Sequence, residues 1–237
     1  MTSFKNKKPF KKIIEWGLKF LIKLCLILII FTIVQVSLLR FIDPPFTVRI
    51  LLIRFKNTFS SKYYIRPHYY WQPLNKISPH LKKAVLASED QRFLSHKGFD
   101  IIEMNKAVQD ILRAKRLRGA STITMQAARS VFLWPGRSWL RKTVEAYYTV
   151  LIEIFWSKMR ILEIYLNTVD WGTGIIGAEA ASRKYFNISA EQINPSQAAR
   201  MAAILPSPHR WSPTDPSDYV KKRQRIIMKD MKKIPQL

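Results

Sequence analysis

An apolar segment near the N-terminus is the feature that most constrains how this 237-residue chain can fold. Residues 24–39 carry no charged side chain, and residues 18–22 extend the run, with Lys19 and Lys23 as the interruptions. A helix that crosses a bilayer needs about 20 apolar residues, and lysines near its end can reach the headgroups. Residues 18–40 are therefore predicted to form one N-terminal transmembrane helix.

The charges on the two sides of this segment predict its orientation. Seven lysines and one glutamate precede Leu24, whereas Arg40 and Asp43 follow the segment with little net charge. Because basic residues stay on the cytoplasmic side, residues 1–17 are predicted to be a cytoplasmic basic tail, and the body is predicted to lie outside the cytoplasm. A cleaved signal peptide is the alternative, but its apolar region would be shorter and would end in small residues.

Residues 41–76 are predicted to connect the anchor to the body in one of two ways. Phe46 to Phe59 mixes apolar residues with two arginines and a lysine, and aromatic residues crowd the stretch from Tyr63 to Trp71. Such a segment can be a plain connector helix followed by a loop, or an amphipathic segment that lies in the bilayer interface. The composition does not decide between them.

The chain is strongly basic, with 40 Lys and Arg against 16 Asp and Glu and a formal net charge of +24. This charge needs an anionic counterpart, which can be nucleic acid, phospholipid headgroups or a phosphorylated substrate. The one cysteine, Cys25, lies in the apolar segment, which excludes a disulfide framework within the chain. The four histidines are too widely spaced for a recognisable zinc pattern.

The body, residues 77–237, is predicted to be one mainly α domain, because polar capping residues recur before apolar runs with helical spacing. The expected N-caps, with proline after the first and the last, are Ser78, Asp100, Ser121, Ser138, Ser157 and Asn194. Neither alternating strand patterns nor Asn-Gly hairpin dipeptides occur in the sequence. A basic amphipathic helix is expected from Asp218 to Lys233.

Two acidic positions stand out from this background. Glu89 and Asp90 lie at the end of a predicted helix, where the helix dipole disfavours acids. A carboxyl in that position suits a general base, but it also occurs in ordinary loops. Glu145 follows Arg141 by four residues, a spacing that by itself indicates a solvated salt bridge. His96 alone would be a hydrogen-bonding loop residue.

The order of the motifs adds information that single motifs lack. The chain contains, in order, EDxxFxxHxGFD from residue 89, GASTITxQ from residue 119, RKxxE from residue 141, KMRILEIYLN from residue 158 and an Ala-rich stretch that ends at Leu205-Pro206. Taken alone, the second motif can present backbone N–H groups to an anion or form a simple capped turn. Taken together, the motifs resemble the peptidoglycan glycosyltransferase family over roughly residues 79–225.

Two further features indicate which branch of that family this chain resembles. The stretch from Gly136 to Lys142 and the N-terminal anchor look like the monofunctional branch. No Ser-x-x-Lys occurs, and Lys142-Thr143-Val144 is not Lys-Thr-Gly, so a transpeptidase domain is not expected. The resemblance implies a lysozyme-like α fold with a head lobe and a membrane-facing jaw.

The resemblance further implies a reaction and the roles of two acids. Glu89 would take the proton of the GlcNAc 4-hydroxyl of lipid II, whose oxygen would attack C1 of the lipid-linked growing chain with inversion. Glu145 would assist the departure of undecaprenyl diphosphate. A divalent cation, Mg²⁺ or Mn²⁺, bound with the help of Glu145 is a further expectation, and no organic cofactor is expected.

The resemblance also implies a set of substrate-binding residues. Candidate contacts to the diphosphate are Arg129, Arg137, Arg141 and Lys142. The substrate-cleft loop would include Ser121, Thr122 and Gln126, and the first motif would be shaped by Asp90, Phe93, His96 and Gly98. The implied partners are lipid II, the growing chain, the membrane, and cell-wall synthesis or division proteins, with no nucleic acid. The implied location is the cytoplasmic (inner) membrane, with the catalytic domain in the periplasm.

Four positions depart from the family pattern. Met125 stands where the family usually has glutamine, Arg129 replaces lysine, Ser130 replaces asparagine and Asp170 replaces glutamate. None of these changes removes a proposed acid or base. These departures are expected to affect the rate and the fine substrate specificity more than the type of reaction catalysed.

Two other functions remain as alternatives. A lytic, muramidase-like enzyme would share a helical fold and a catalytic glutamate, but its leaving group is a sugar oxygen, which needs fewer cations. A membrane-anchored nucleic-acid-binding protein would use the charge of +24, but no known nucleic-acid module is visible, and the body is predicted to face away from the cytoplasm.

Overall fold

The apolar N-terminal segment forms one long helix, α1 (Lys8–Leu39). The computed structural model describes residues 8–59, 67–113, 119, 121–136 and 138–236. From Lys12 to Leu39 the helix is long and apolar enough to cross a membrane by length and composition, and only 6% of its apolar window is buried. A core helix of a soluble domain would be covered by protein, so this exposure favours a lipid-facing helix. The helix begins at Lys8, ahead of the residue 18 expected from sequence.

The chain forms two compact units, one that ends at Ile42 and one from Asp43 onward. The second unit begins with helix α2 (Val48–Phe59), whose first turn is capped by the Thr47 hydroxyl, which accepts the Ile50 N–H at 3.3 Å. Ile50 is buried, and α2 packs against helix α5 (Ile123–Phe132). Residues 60–66 lie outside the described part of the chain.

The rest of the predicted connector is attached to the helical unit. The side-chain amide of Asn167 binds both the N–H and the C=O of Gln72 at 2.8 Å. Arg160 lies over the Trp71 ring at 5.4 Å from its centroid, and the Tyr69 hydroxyl donates to the Pro44 carbonyl at 2.6 Å. These contacts favour a docked connector over a free interfacial segment for residues 67–76. The predicted domain boundaries at residues 17, 40 and 76 stay predictions.

Helices dominate the body, as predicted for a mainly α fold. They are α3 (Pro79–Glu89), α4 (Ile101–Leu112), α5 (Ile123–Phe132), α6 (Trp139–Phe155), α7 (Lys158–Thr168), α8 (Ala178–Phe186), α9 (Pro195–Ile204) and α10 (Asp218–Asp230). The predicted caps of α3, α4, α6, α7 and α9 all accept a backbone N–H of the first turn. Helix α5 is capped by Thr122 rather than Ser121. Helix α8 was not predicted, because Gly177 precedes it and offers no side-chain cap.

Three short strands complete the described fold. They are β1 (His68–Tyr69), β2 (Asp170–Gly172) and β3 (Ile175–Ile176), in the order β1-β3-β2. Strand β1 runs parallel to β3, and β2 runs antiparallel to it. The sequence analysis found no strand pattern, because strands of two or three residues are too short to show alternation.

The core is built around two groups of helices. Helix α5 packs against α6 and α7, and α3 packs against α9 and α10. Four of the six buried residues of α9 are alanines (Ala198, Ala199, Ala202 and Ala203), and the other two are Met201 and Ile204. The first group carries Gln126 and Glu145, and the second carries Glu89, so the packing of these helices determines where the candidate site residues lie.

Helix α4 departs from what its sequence pattern suggests. The 3.6-residue apolar rhythm predicted the helix correctly, but Ala107 is the one residue of α4 that is buried. Ile101, Val108 and Leu112 are exposed to 54–79%. Helix α6 likewise exposes apolar residues at both ends, including Leu140 and Ile154. Exposed apolar surface of this kind marks an interaction with a membrane or another apolar partner.

Two truncations test the boundary at Asp43. Deletion of residues 1–42 is expected to leave the helical unit folded, whereas deletion of residues 1–59 also removes α2 and its contact with α5. The burial of Ile50 alone is worth about 1.5–3 kcal/mol, so the shorter protein should unfold at a lower temperature. Thermal unfolding followed by circular dichroism in the same detergent checks this expectation. Equal unfolding temperatures would contradict it.

Candidate active site

Glu89 is the last residue of α3, and its half-buried carboxylate is held by two donors. The Gln126 side-chain amide donates to Oε2 at 3.0 Å, and the Ser88 hydroxyl lies 3.2 Å from Oε1. Glu89 lines a cavity of about 250 Å³, called here the first cavity, between the end of α3 and the beginning of α5. Ser121 and Thr122 line the same cavity. A carboxylate that is fixed and still faces open space can accept a proton from a bound hydroxyl group.

Asp90 joins the end of α3 to the beginning of α5. Its Oδ2 accepts the Ile123 N–H at 2.9 Å, and Nε2 of His96 lies 2.9 and 3.0 Å from the two carboxylate oxygens. All of these groups are buried. A negative group at the N-terminus of α5 is also favoured by the helix dipole. His96 is therefore a hydrogen-bonding partner of Asp90, in agreement with the sequence interpretation of a loop histidine.

Phe93 and Gly98 shape the loop behind Asp90. Phe93 is buried, and the Lys158 ammonium lies 4.6 Å from its ring centroid. Gly98 has φ +84°, and a Cβ at this position would lie 2.8 Å from the Thr149 side chain. The Gly98 carbonyl accepts the Thr122 hydroxyl. The first motif and the cap of α5 are thus one connected structure.

One group of acids and histidine in the described part of the chain has the spacing of a metal site: Asp90, His96 and Asp100. Three of its four carboxylate oxygens already accept hydrogen bonds, and the fourth, Asp100 Oδ2, faces a guanidinium group. Asp100 Oδ1 accepts the Glu103 N–H at 3.0 Å as the cap of α4, and Oδ2 faces Arg92 Nε at 3.3 Å. Asp90 is engaged as described above. The arrangement fits a hydrogen-bonded loop anchor better than a cation site.

Glu145 lies on α6 in a cluster of cations. Its side chain is 0% exposed. The Lys142 ammonium lies 2.6 Å from Oε1, Arg141 donates to Oε2 at 2.9 Å, and Arg129 lies 4.0 Å from Oε2. The spacing of Arg141 and Glu145 suggested a solvated salt bridge, and the structure corrects this because the carboxylate is buried.

The cations of this cluster differ from Glu145 in their access to solvent. The side chains of Lys142 and Arg129 are 43% and 39% exposed. Arg129 and Arg141 line a second cavity of about 300 Å³, together with Gln126 and Asp170. Because Gln126 also binds Glu89, it connects the two cavities. A buried carboxylate thus holds cations at the wall of a cavity that an anionic group can enter.

Seven of the predicted site residues line the two cavities: Glu89, Asp90, Ser121 and Thr122 line the first, and Gln126, Arg129 and Arg141 line the second. Phe93, His96 and Gly98 shape the loop behind Asp90, and Lys142 pairs with Glu145. Arg137 lies outside the described residues. Sequence reasoning missed Ser88 and Tyr165. The Tyr165 hydroxyl is 3.5 Å from the Gln126 side-chain oxygen, which leaves the amide nitrogen to face Glu89. Burial, with the charge of Glu89 as a second cause, raises the pKa of Tyr165 well above its ordinary value, so the hydroxyl stays protonated.

Similarity to known proteins extends over most of the chain. A family model described as "Transglycosylase" matches residues 57–232. A "Biosynthetic peptidoglycan transglycosylase" from Pseudomonas putida (strain W619) is 47% identical over 203 residues, 86% of each chain. A protein of the same name from Caulobacter vibrioides is 44% identical over 209 residues, 88% of each chain. Another, from Bacteroides thetaiotaomicron, is 44% identical over 227 residues, 96% of this chain and 90% of the relative.

Two substitutions test the role of Asp90 as an anchor. Asp90→Ala leaves the Ile123 N–H and His96 without their acceptor, at a cost of about 1–3 kcal/mol for each buried group. Asp90→Asn keeps a side-chain oxygen that accepts the Ile123 N–H. The new amide N–H can donate to His96 Nε2 when the imidazole proton moves from Nε2 to Nδ1. Denaturant unfolding should therefore rank wild type and Asp90→Asn above Asp90→Ala, and ¹⁵N NMR should show the tautomer change. Equal stability of the two variants would refute the anchor.

Proposed function

The chain belongs to the transglycosylase family, and from that premise we propose that it polymerises peptidoglycan glycan strands from lipid II. Its helical domain is lysozyme-like. The observation that carries the proposal is the arrangement around Gln126: a fixed, half-buried carboxylate on one side and a cluster of cations on the other. A glycosyl transfer from a lipid diphosphate needs a base at the acceptor and positive charge at the leaving group.

Glu89 is the proposed base. Its carboxylate takes the proton of the GlcNAc 4-hydroxyl of lipid II as that oxygen attacks C1 of the growing chain. The new bond forms between this oxygen and C1 while the bond from C1 to the diphosphate oxygen breaks, so the anomeric centre is inverted. The donors from Gln126 and Ser88 hold the two carboxylate oxygens in place. General-base catalysis of this kind contributes about 10²–10⁴-fold to the rate.

The cation cluster is the proposed site of the leaving diphosphate. Arg129 and Lys142 are half exposed, and Arg141 lines the second cavity. Fixed positive charge stabilises the negative charge that develops on the departing group, and guanidinium groups match phosphate oxygens well. Because Glu145 is fully buried, its proposed role is to position these cations rather than to touch the diphosphate itself.

The expectation of a divalent cation at Glu145 stays a prediction, and the residues present do not fit direct coordination there. Both carboxylate oxygens face cations, with Lys142 at 2.6 Å and Arg141 at 2.9 Å, and Arg129 is at 4.0 Å. A metal ion bound to Glu145 would have to displace them. The proposed mechanism therefore assigns the leaving-group charge to these side chains, and no step depends on a metal.

The same cluster weighs against a lytic muramidase. A muramidase releases a sugar oxygen, which carries far less charge than a diphosphate, so its leaving group needs fewer cations than the three that surround Glu145. The family also weighs against nucleic-acid binding as the function. The charge of +24 is instead attributed to the membrane surface and to the phosphates of the substrate.

Helix α1 is proposed to anchor the enzyme in the cytoplasmic membrane, with the N-terminus in the cytoplasm and the catalytic domain in the periplasm. The seven lysines that precede Leu24 support this orientation. The exposed apolar residues of α4 and α6 are proposed to contact the bilayer as the membrane-facing lobe. Such contact would keep the site near a substrate whose lipid stays in the membrane. Cell-wall synthesis or division proteins are the proposed protein partners.

The Glu89→Gln variant tests the proposed base. Glutamine preserves the shape of the side chain but cannot accept the proton, so polymerisation should fall by about 10²–10⁴-fold while lipid II still binds. The measurement uses purified protein with labelled lipid II, and the product is identified as long, lysozyme-sensitive strands. Glu191→Gln, in an exposed ion pair with Lys76, is the matched control and should keep full activity. If Glu89→Gln polymerises at a rate within a few-fold of wild type, the proposed general-base mechanism is wrong.

The Glu145→Gln variant tests the positioning of the cations. The rate should fall by about 100-fold, and stability should fall by about 3–5 kcal/mol because a buried ion pair is broken. Glu179→Gln on α8 is the matched control, because Glu179 is likewise buried and pairs with an arginine one helical turn away, Arg183, but lines neither cavity. It should lower stability and leave the rate of the folded enzyme unchanged. An unchanged rate for Glu145→Gln would reduce Glu145 to a structural residue.

A further inference from the structure

The C-terminal helix α10 reaches the proposed base through one hydrogen-bonded side chain. Arg223 on α10 donates to the Ser88 hydroxyl oxygen at 3.1 Å. Ser88 directly precedes Glu89, and its hydroxyl lies 3.2 Å from Glu89 Oε1. Arg223 and Ser88 are 135 residues apart in sequence. No motif described above includes Arg223, and the basic character of α10 had suggested only an amphipathic helix.

The geometry at Ser88 determines where its single hydroxyl proton points. The oxygen accepts from Arg223, so the proton is left for one of two acceptors, Glu89 Oε1 or the Ala202 carbonyl, each at 3.2 Å. The Ala202 carbonyl already accepts the Leu205 N–H at 3.4 Å. A carboxylate is also a stronger acceptor than a neutral carbonyl. The proton of Ser88 is therefore directed to Glu89.

The Arg223 guanidinium is itself fixed in place. Its Nε donates to the Ala203 carbonyl at 3.1 Å, while the second nitrogen donates to Ser88. The planar guanidinium offers both donors in a rigid fork. Helix α10 packs against both α3 and α9, which holds the fork between the helix that carries Glu89 and the helix that carries Ala203.

We infer that Arg223 is a positioning residue for the proposed base Glu89 and that it acts through the Ser88 hydroxyl. The inference rests on the proposed function, in which Glu89 takes the acceptor proton. Gln126 holds Oε2 and Ser88 holds Oε1, so the carboxylate is fixed against rotation from both sides. Without Arg223, the Ser88 hydroxyl is free to turn away, and one side of this support is lost.

A double-mutant cycle tests the inference with the full-length protein, labelled lipid II and steady-state polymerisation rates. Ser88→Ala and Arg223→Gln should each lower kcat by about 3- to 10-fold, the value of one hydrogen bond, with KM unchanged. In the Ser88→Ala background, Arg223→Gln should cause no further loss of kcat, because the route to Glu89 is already cut. Arg225→Gln, an exposed arginine on the same helix, is the matched control and should be fully active.

The outcomes separate this inference from the proposed function. If Arg223→Gln lowers kcat by the same factor with and without Ser88, Arg223 does not act through Ser88, and the inference is overturned. Full activity of Ser88→Ala overturns it as well, and this variant keeps the Arg223 contact to Ala203, so a folding defect of Arg223→Gln does not obscure the result. An active Glu89→Gln variant would refute the base itself. If Glu89→Gln is inactive and Ser88→Ala is fully active, Glu89 stands as the base and only the positioning role of Arg223 is refuted.

Discussion

The hydrogen bond from the Ile123 N–H to Asp90 is the contact on which the rest of the site depends. It attaches the end of α3 to the beginning of α5, two helices that belong to different packing groups of the core. Glu89 is the neighbour of Asp90, and Gln126 is one turn into α5, so the distance between their side chains follows from this attachment. His96 and Gly98 extend the same connection into the loop. The acids and hydrogen-bond donors of the first two motifs thus form one rigid unit.

The cations around Glu145 form the second half of the site, and their mutual repulsion has to be offset. A cavity meant for a diphosphate needs several cations close together, and such cations repel one another. Glu145 lowers this repulsion by placing one buried negative charge among them, and burial protects the interaction from solvent screening. Arg129 replaces the lysine that the family usually has, and it still lies within 4.0 Å of Glu145. The departure therefore keeps the charge while the donor geometry changes.

In the proposed mechanism, the two halves of the site act on different groups of the substrates. Glu89 and its donors act on the acceptor hydroxyl, and the cations around Glu145 act on the leaving group. Gln126 lies at the border and contributes to both, since it binds Glu89 and lines the second cavity. The inferred role of Arg223 adds support from α10, so α3 and α10 of one packing group and α5 of the other together hold one carboxylate.

The sequence by itself determined the local features of this protein. The apolar helix, the capped starts of α3, α4, α6, α7 and α9, and each single motif depend on residues within a few positions of one another. The helix and these caps were confirmed, and so was the family that the motifs indicated. Burial and long-range contacts were decided only by the tertiary structure. The apolar periodicity of α4 is typical of a core face, but these apolar side chains are exposed. The spacing of Arg141 and Glu145 is typical of a surface salt bridge, but the pair is buried. Ser88 and Arg223 meet across 135 residues. Periodicity and spacing describe a helix and its faces, but which face is covered depends on the other helices that pack around it.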